Sequence, residues 1–109
     1  MSKAEPATLF AALGDPHRLA LIGRLADGRP RSIGELGRGA AISRQALTKH
    51  LRVLERAGAV SSSRFGREVR FRIEQEELAS AQAFLARVSE QWGSALERLA
   101  RHVEDSGGS

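Results

Sequence analysis

Cysteine is absent from this chain of 109 residues. Its absence excludes disulfides, thiolate metal sites and cysteine nucleophiles, and it suits a reducing compartment. No apolar run approaches the roughly 20 residues that a membrane-spanning helix needs, and the N-terminal sequence MSKAEPATLF has no signal-peptide pattern. We therefore expect a soluble protein located in the cytoplasm, without a membrane partner.

Acidic residues are scarce in the middle of the chain. Residues 29–72 contain eleven arginines and lysines but only three acids, a local balance of +8, whereas residues 1–28 balance to zero and residues 73–109 carry −4. The formal net charge of +4 therefore conceals a strongly basic middle third. Such a cluster in a small domain is typical of nucleic-acid binding, although a solvated arginine-rich surface would have the same composition.

The basic segment contains one well-marked amphipathic helix. Ser43 is a favourable N-cap and Gly58 a favourable terminator, which predicts a helix over residues 44–57. Its leucines recur at spacings of four and three and share one face: Leu47, Leu51 and Leu54. The other face carries side chains that donate to base edges and phosphates: Arg44, Gln45, Thr48, Lys49 and Arg52. This composition is that of a DNA recognition helix, although a surface helix with a solvated basic face has the same pattern.

Two short helices are predicted at the start of the chain. Pro6 suits the first turn of a helix that stops at Gly14, and Asp15 can cap a second helix that ends at Gly28. Apolar residues at helical spacing predict the buried sides: Leu9, Phe10 and Leu13 in the first helix, and Leu19, Ile22 and Leu25 in the second. His17 is interpreted as structural. Arg18 is interpreted in the same way, with a phosphate contact as the alternative.

A third short helix completes a helix-turn-helix pattern. Ser32 and Glu35 can form a capping box, and residues 29–31 before them are predicted to be a connector. Glycines and alanines in residues 37–41 make a tight turn into the helix that Ser43 begins. Two helices joined by such a turn, with the second basic at its N-terminal end, fit the helix-turn-helix arrangement.

Alternating residues after these helices predict a β-hairpin. Apolar residues and arginines alternate over residues 69–73, residues 60–64 form a plausible partner strand, and the turn lies at 65–67. Arg64 and Arg67 would lie at or near its tip. We interpret the hairpin as a wing whose tip arginine enters the minor groove. The alternative is an edge hairpin that its charges protect against aggregation.

One long helix is predicted over residues 76–103. Its apolar residues recur at helical spacing along the whole length: Leu78, Leu85, Val88, Trp92, Leu96, Leu99 and Val103. A small domain has too little core to cover about seven helical turns, so we infer packing against the same helix of a second subunit. The alternative is a helix folded wholly back onto its own domain. We expect a single domain over residues 1–105 and a disordered tail at 106–109.

With its elements in this order, the chain resembles the ArsR/SmtB family of bacterial winged-helix repressors. The resemblance covers about residues 9–103 and rests on LGDPHRLALIGRLADG, SIGEL, ISRQALTKHLRVLERAGAV and GREVRFRI. It implies a mainly α fold with a small β-hairpin, in the order α-α-α-α-β-β-α. It also implies a homodimer that binds operator DNA and represses transcription. A dimeric helix-turn-helix protein predicts a palindromic operator.

The resemblance also implies where the contacts lie. Arg44, Gln45, Thr48 and Lys49 match the family's operator-contacting positions, with Ser43 and His50 close by; Arg52, Arg64 and Arg67 complete the predicted DNA-binding set. The dimer interface would come mainly from the first and last helices, through Leu9, Phe10, Leu85, Val88, Trp92, Leu96, Leu99 and Val103.

The chain departs from the metal-sensing members of that family. Residues 32–34 are Ser-Ile-Gly where those members have a CVC triplet, so that thiolate site cannot exist. Of a second, histidine-based site only His102 with Asp105 remains, because Gln91 and Ser89 stand where other ligands would be. We interpret His102 as a surface histidine near a helix C-terminus. We expect no metal and no cofactor, and the identity of any inducer is not readable.

Two other classes of function were weighed. An enzyme is not expected, because there is no nucleophile with a matching base, no glycine-rich phosphate loop and no pair of carboxylates in an apolar setting. A winged-helix module that binds protein rather than DNA is the second alternative. Such a module would present an exposed apolar helix face, where this chain has Arg44, Lys49 and Arg52.

Overall fold

Five helices and three strands make up the fold. The structure is a computed structural model that describes residues 5–107. Its elements in chain order are α1 (Pro6–Leu13), α2 (Pro16–Leu25), β1 (Arg31–Ser32), α3 (Ile33–Gly37), α4 (Arg44–Arg56), β2 (Val60–Phe65), β3 (Glu68–Ile73) and α5 (Gln75–Gly107). The predicted mainly α class and the predicted winged helix-turn-helix are confirmed.

Side-chain caps begin three of the helices where the sequence predicted them. The Asp15 carboxylate accepts from the backbone N–H groups of His17 and Arg18, at 2.8 and 3.2 Å. Ser32 and Glu35 form the reciprocal capping box, with both hydrogen bonds at 3.1 Å. These side chains satisfy backbone donors that a helix start leaves unpaired, which is why the starts of α2 and α3 are legible in the sequence.

The sheet has one strand more than predicted. Residues 29–31 were predicted to be a connector, but Arg31 and Ser32 pair antiparallel with Phe71 and Arg70 of β3. The strand order is therefore β1-β3-β2, with β3 in the centre. A strand of two residues has no alternation to detect, and only its partner defines it. The β2 strand also reaches Phe65, so that the turn consists of Gly66 and Arg67.

The core lies where α4 and β3 meet the first two helices. Its fully buried side chains are Leu9, Leu25, Leu36, Leu47, Leu51, Leu54 and Phe71. The predicted buried side of α2 was wrong in one residue: Leu19 is 57% exposed, whereas Leu21 is 5% exposed. The spacing of four from Leu21 to Leu25 places both on the side that faces the core, and Leu19 lies off that side.

The long helix α5 begins on the domain and then leaves it. Ala81 is buried and Leu78 packs against the core, but Trp92, Leu96 and Val103 are about 60% exposed. The longest dimension of the molecule is 73 Å. The alternative in which this helix folds wholly back onto its own domain is therefore wrong for the protomer.

Helix α5 also continues past the predicted domain boundary at residue 105. It ends at Gly107, so residues 106 and 107 are helical rather than part of a disordered tail. Residues 108 and 109 of that predicted tail lie outside the described residues.

Candidate nucleic-acid interface

The short helix α3 is held in place by an arginine from α2. Arg24 donates from Nη1 to the carbonyl of Leu36 at 2.6 Å and from Nη2 to that of Glu35 at 3.1 Å. These carbonyls belong to the end of a helix too short to satisfy them internally. Residues 38–43 then turn the chain into α4, with Gly39 at φ 73°, a left-handed conformation that favours glycine. This turn sets the direction in which α4 starts.

The outward face of α4 carries three polar side chains that are open to solvent. Arg44, Gln45 and Lys49 are exposed, and no hydrogen bond or ion pair joins these side chains to the part of the chain that the structure describes. The opposite face holds the leucines of the core. The basic N-terminal end of the predicted recognition helix is therefore presented to solvent.

Two of the predicted contact residues use their hydroxyl groups within the helix. Ser43 accepts from the N–H of Ala46 at 3.1 Å as the N-cap. Thr48 donates to the carbonyl of Arg44 at 2.9 Å and is half-buried. Their part in DNA binding stays a prediction, and in the free protein both hydroxyls stabilise α4.

Arg52, another predicted contact residue, joins α4 to the sheet. Its guanidinium is 2.7 Å from the Glu55 carboxylate and 5.3 Å from the centroid of the Phe71 ring. Glu55 in turn accepts a hydrogen bond of 2.5 Å from the hydroxyl of Ser62 in β2. This chain of contacts fixes the angle between recognition helix and hairpin. Pattern alone missed it because Ser62 lies in a different element.

The pKa of Glu55 predicts a pH dependence of stability. The Ser62 hydroxyl and the Arg52 guanidinium hold it below its ordinary value of 4.5, against the effect of partial burial. Because the folded pKa is the lower one, the charged carboxylate stabilises the fold above the pKa of the unfolded chain, and this contribution is lost as pH falls through the folded pKa. Glu55→Gln should therefore lower the melting temperature at pH 7 more than at pH 3.

Thermal unfolding of the wild type and Glu55→Gln at both pH values measures this difference. Glutamine keeps an oxygen that can accept from Ser62, so the comparison isolates the charge. Equal losses at pH 7 and pH 3 would contradict the assigned role.

His50, predicted to lie near DNA, has its ring against α2. Its Nδ1 is 3.2 Å from Nη1 of Arg18 and 3.9 Å from the Asp15 carboxylate, and its ring centroid is 5.4 Å from that of His17. Arg18 also donates to the carbonyl of Ala12. The structural interpretation of Arg18 is confirmed, whereas a DNA contact by His50 stays a prediction.

The wing presents Arg64 and Arg67 to solvent, both exposed. Phe65 between them is 48% exposed, and the guanidinium of Arg70 lies over its ring, 4.5 Å from the centroid. Arg70 is also paired with Glu68 at 2.9 Å. The aromatic side chain near the tip therefore has a stacking partner within the wing, and Arg64 and Arg67 stand apart from that cluster.

Recognition helix and wing meet at one cleft. Arg44 from the start of α4 and Arg67 from the turn of the wing both line it, together with Ser32, Gly34 and Glu68 among others. Two predicted DNA-binding arginines that are 23 positions apart in sequence thus border the same opening. The basic surface is continuous from helix to wing.

The predicted dimerisation residues fall into two groups. Leu85, Trp92, Leu96, Leu99 and Val103 are all more than half exposed, and Val88 is half-buried. Phe10 is half-buried with its ring centroid 6.0 Å from that of Phe84. Leu9, however, is 1% exposed, so its assignment to an intersubunit surface was wrong. It lies on the side of α1 that faces the core, where its own chain covers it.

The remaining predictions concern metals and membranes. His102 is exposed on α5, and the side chain of Asp105, its proposed companion, lies outside the described part. Within residues 5–104 no three His, Asp or Glu side chains are grouped so that they could hold a metal ion. Among the described helices none is long and apolar enough to cross a membrane.

Helices α3 and α4 followed by the β2–β3 wing define a winged helix-turn-helix DNA-binding domain. Residues 13–62 match the family described as "Helix-turn-helix domain". The chain is 33% identical over 102 residues to the HTH-type transcriptional regulator Rv2034 of Mycobacterium tuberculosis, covering 94% of this chain and 92% of that relative.

Solved structures give the same classification. An ArsR-like transcriptional regulator from Rhodococcus sp. RHA1 is similar with a TM-score of 0.73 and 34% identity, over 88% of this chain and 90% of that one. The homodimeric winged helix-turn-helix DNA-binding domain of Mb0332 from Mycobacterium bovis is similar with a TM-score of 0.62 and 25% identity, over 78% of each chain. The chain belongs to the ArsR/SmtB family of winged-helix regulators, and it is a DNA-binding transcriptional regulator.

Proposed function

We propose that this protein is a homodimeric repressor of the cytoplasm that binds a palindromic operator. Residues 43–57 enter the major groove, and the wing at residues 60–73 contacts the adjacent backbone or minor groove. The observation that carries this proposal is the exposed, unpartnered set Arg44, Gln45 and Lys49 beside the basic wing. No other surface of the described chain combines side chains that read bases with so much positive charge.

The proposed assignment of roles follows from what each side chain already does. Gln45 and Arg44 lie in the first turn of α4, where side chains reach base edges. Lys49, Arg64 and Arg67 supply phosphate contacts, which give affinity without sequence information. Arg52 is engaged with Glu55, so we assign it to orienting the helix first and to a phosphate second.

The proposed dimer is supported by the apolar stripe of α5. A side of five large residues, each more than half exposed, is costly to leave in water at about 25 cal/mol per Å² of apolar surface. A second copy of α5 presents the same stripe and covers it symmetrically. The homodimeric state of the Mb0332 domain supports the same arrangement.

Selection of operator sequences from a random duplex pool by the purified protein tests this function. We expect enrichment of an imperfect palindrome with half-sites about one helical turn apart. We also expect retention on heparin and salt-dependent binding to random duplex. A protein-interaction module, the alternative, would enrich no sequence and would show neither property.

Metals should leave operator binding unchanged. Only half of the family's histidine-based site remains in this sequence, as His102 and Asp105, and a zinc site needs three or four ligands. The measurement is operator affinity with and without stoichiometric zinc, using His102→Ala as the control. Release of DNA by zinc in the wild type and not in His102→Ala would refute this expectation.

A further inference from the structure

A cavity lies behind the recognition helix, between α2 and the turn that joins α3 to α4. Its volume is about 330 Å³, within the range of about 300 to 1,000 Å³ that small-molecule sites occupy. The buried side chains of Leu21, Leu36 and Leu47 form its floor. Residues 38–42 of the turn form one wall. A ligand with an apolar body would find an apolar surface here.

The charges around this cavity are all of one sign. His17, Arg24 and Arg38 contribute to its lining, and no aspartate or glutamate does. Arg24 is occupied by the carbonyls of α3. The exposed guanidinium of Arg38 has no hydrogen bond within the described part of the chain, and the nearby Glu35 carboxylate accepts from the N–H of Ser32. Arg38 is therefore the cation available to a ligand.

We propose that this cavity binds a small organic anion, a monocarboxylate on an aromatic or short aliphatic body, and that its occupancy weakens operator binding. The apolar body lies on the leucine floor and the carboxylate meets Arg38 and His17 at the rim. A carboxylate paired with a guanidinium forms charge-assisted hydrogen bonds, which are stronger than neutral ones.

The position of the cavity explains why its occupant would act on DNA binding. Its floor includes Leu47 of α4, and its wall runs directly into Ser43, the N-cap of α4. His17 at the rim lies 5.4 Å from His50 of the same helix, between ring centroids. A ligand that spreads the wall away from α2 shifts the start of α4, where Arg44 and Gln45 lie.

This coupling is reciprocal. A ligand shifts an equilibrium only through its different affinities for the two states, and bound operator must weaken ligand binding by the same factor as ligand weakens operator binding. The effect on DNA rests on the proposed operator function. Ligand binding to the free protein does not, and the two are measured separately.

Titration of the free protein with benzoate, followed by ¹H–¹⁵N NMR, tests the site. We expect saturable shifts of the amides in residues 38–42 and of Leu47, and much smaller shifts with the neutral isostere benzamide. Arg38→Gln should weaken benzoate binding about 5- to 10-fold, since a hydrogen bond to a charged group contributes roughly 1.5 kcal/mol or more when fully made. Arg101→Gln, an exposed α5 arginine outside the cavity lining, is the matched control and should not change it.

Equal shifts with benzamide, or none at these amides with benzoate, would overturn the proposed anion site. So would equal losses in Arg38→Gln and Arg101→Gln. Ala20→Phe fills the cavity from α2 and should abolish saturable binding, whereas Ala79→Phe, at an exposed alanine of α5 outside the lining, should retain it.

The DNA arm compares benzoate with chloride at equal ionic strength, because added salt alone weakens DNA binding. We expect saturating benzoate to weaken operator binding at least several-fold more than chloride in the wild type and not in Ala20→Phe. Operator binding that ignores benzoate, with the NMR site intact, would overturn the regulatory part alone. Failure of the protein to bind any selected duplex would instead refute the proposed function.

Discussion

A glutamate in place of Leu96 or Leu99 is expected to convert the protein from a dimer into a monomer. Both leucines are 58% exposed in the protomer, so the substitutions leave the fold of the domain intact. In a dimer they would bury a carboxylate against an apolar partner surface, which is strongly unfavourable unless the charge is paired. Sedimentation velocity measures the change directly.

Operator affinity should fall together with dimerisation. Two linked half-sites gain roughly 100-fold or more over one, because the second contact becomes intramolecular. The matched control is Ser94→Glu, which adds the same charge at an exposed position on the opposite side of α5 from Leu96. A Leu96→Glu monomer that holds the operator as tightly as wild type would sink the dimer proposal, and so would dissociation of Ser94→Glu.

Gln45→Ala is expected to remove sequence discrimination rather than general affinity. The side chain is exposed in the first turn of α4, and a bidentate contact from glutamine to adenine contributes about 1 to 3 kcal/mol of discrimination. The loss should therefore be about 1 to 3 kcal/mol per half-site on operator DNA and close to zero on a scrambled duplex.

Arg67→Ala is the matched comparison, because its expected effect is the reverse. A wing-tip arginine that holds phosphate or a narrow minor groove should weaken operator and scrambled duplexes by similar factors. It should also lower the salt slope by about 1 for each phosphate that the substitution leaves without its arginine. Fluorescence anisotropy on both duplexes across a salt series measures the two variants together. If Gln45→Ala weakened binding to both duplexes equally, α4 would not read sequence as proposed.

Locally encoded features were predictable from the sequence because their causes lie within a few residues. The Asp15 cap, the Ser32–Glu35 box and the Ser43 cap each act on backbone N–H groups two or three positions ahead. The leucine spacing in α4 likewise predicted its buried face, which the structure confirms. The charge asymmetry predicted which third of the chain carries the basic surface.

Errors of prediction arose where a distant partner decides. Leu19 and Leu21 are both plausible core residues by type, and only the packing of α2 distinguishes them. Leu9 was assigned to the dimer because α1 is a dimerisation helix in the resembling family, but the core covers it first. β1 exists only through its pairing with β3.

By itself, the sequence determined the order of the helices, the hairpin, the recognition face of α4 and the absence of a thiolate site. These follow from periodicity, capping and composition, which act over one or two turns. Only the tertiary structure decided which polar groups are already occupied: Arg52 by Glu55, and Arg18 by His50 and Ala12. It also decided that Arg44 and Arg67 border one cleft and that a cavity opens behind α4. Contacts between residues far apart in sequence depend on how elements pack, and no local pattern records that.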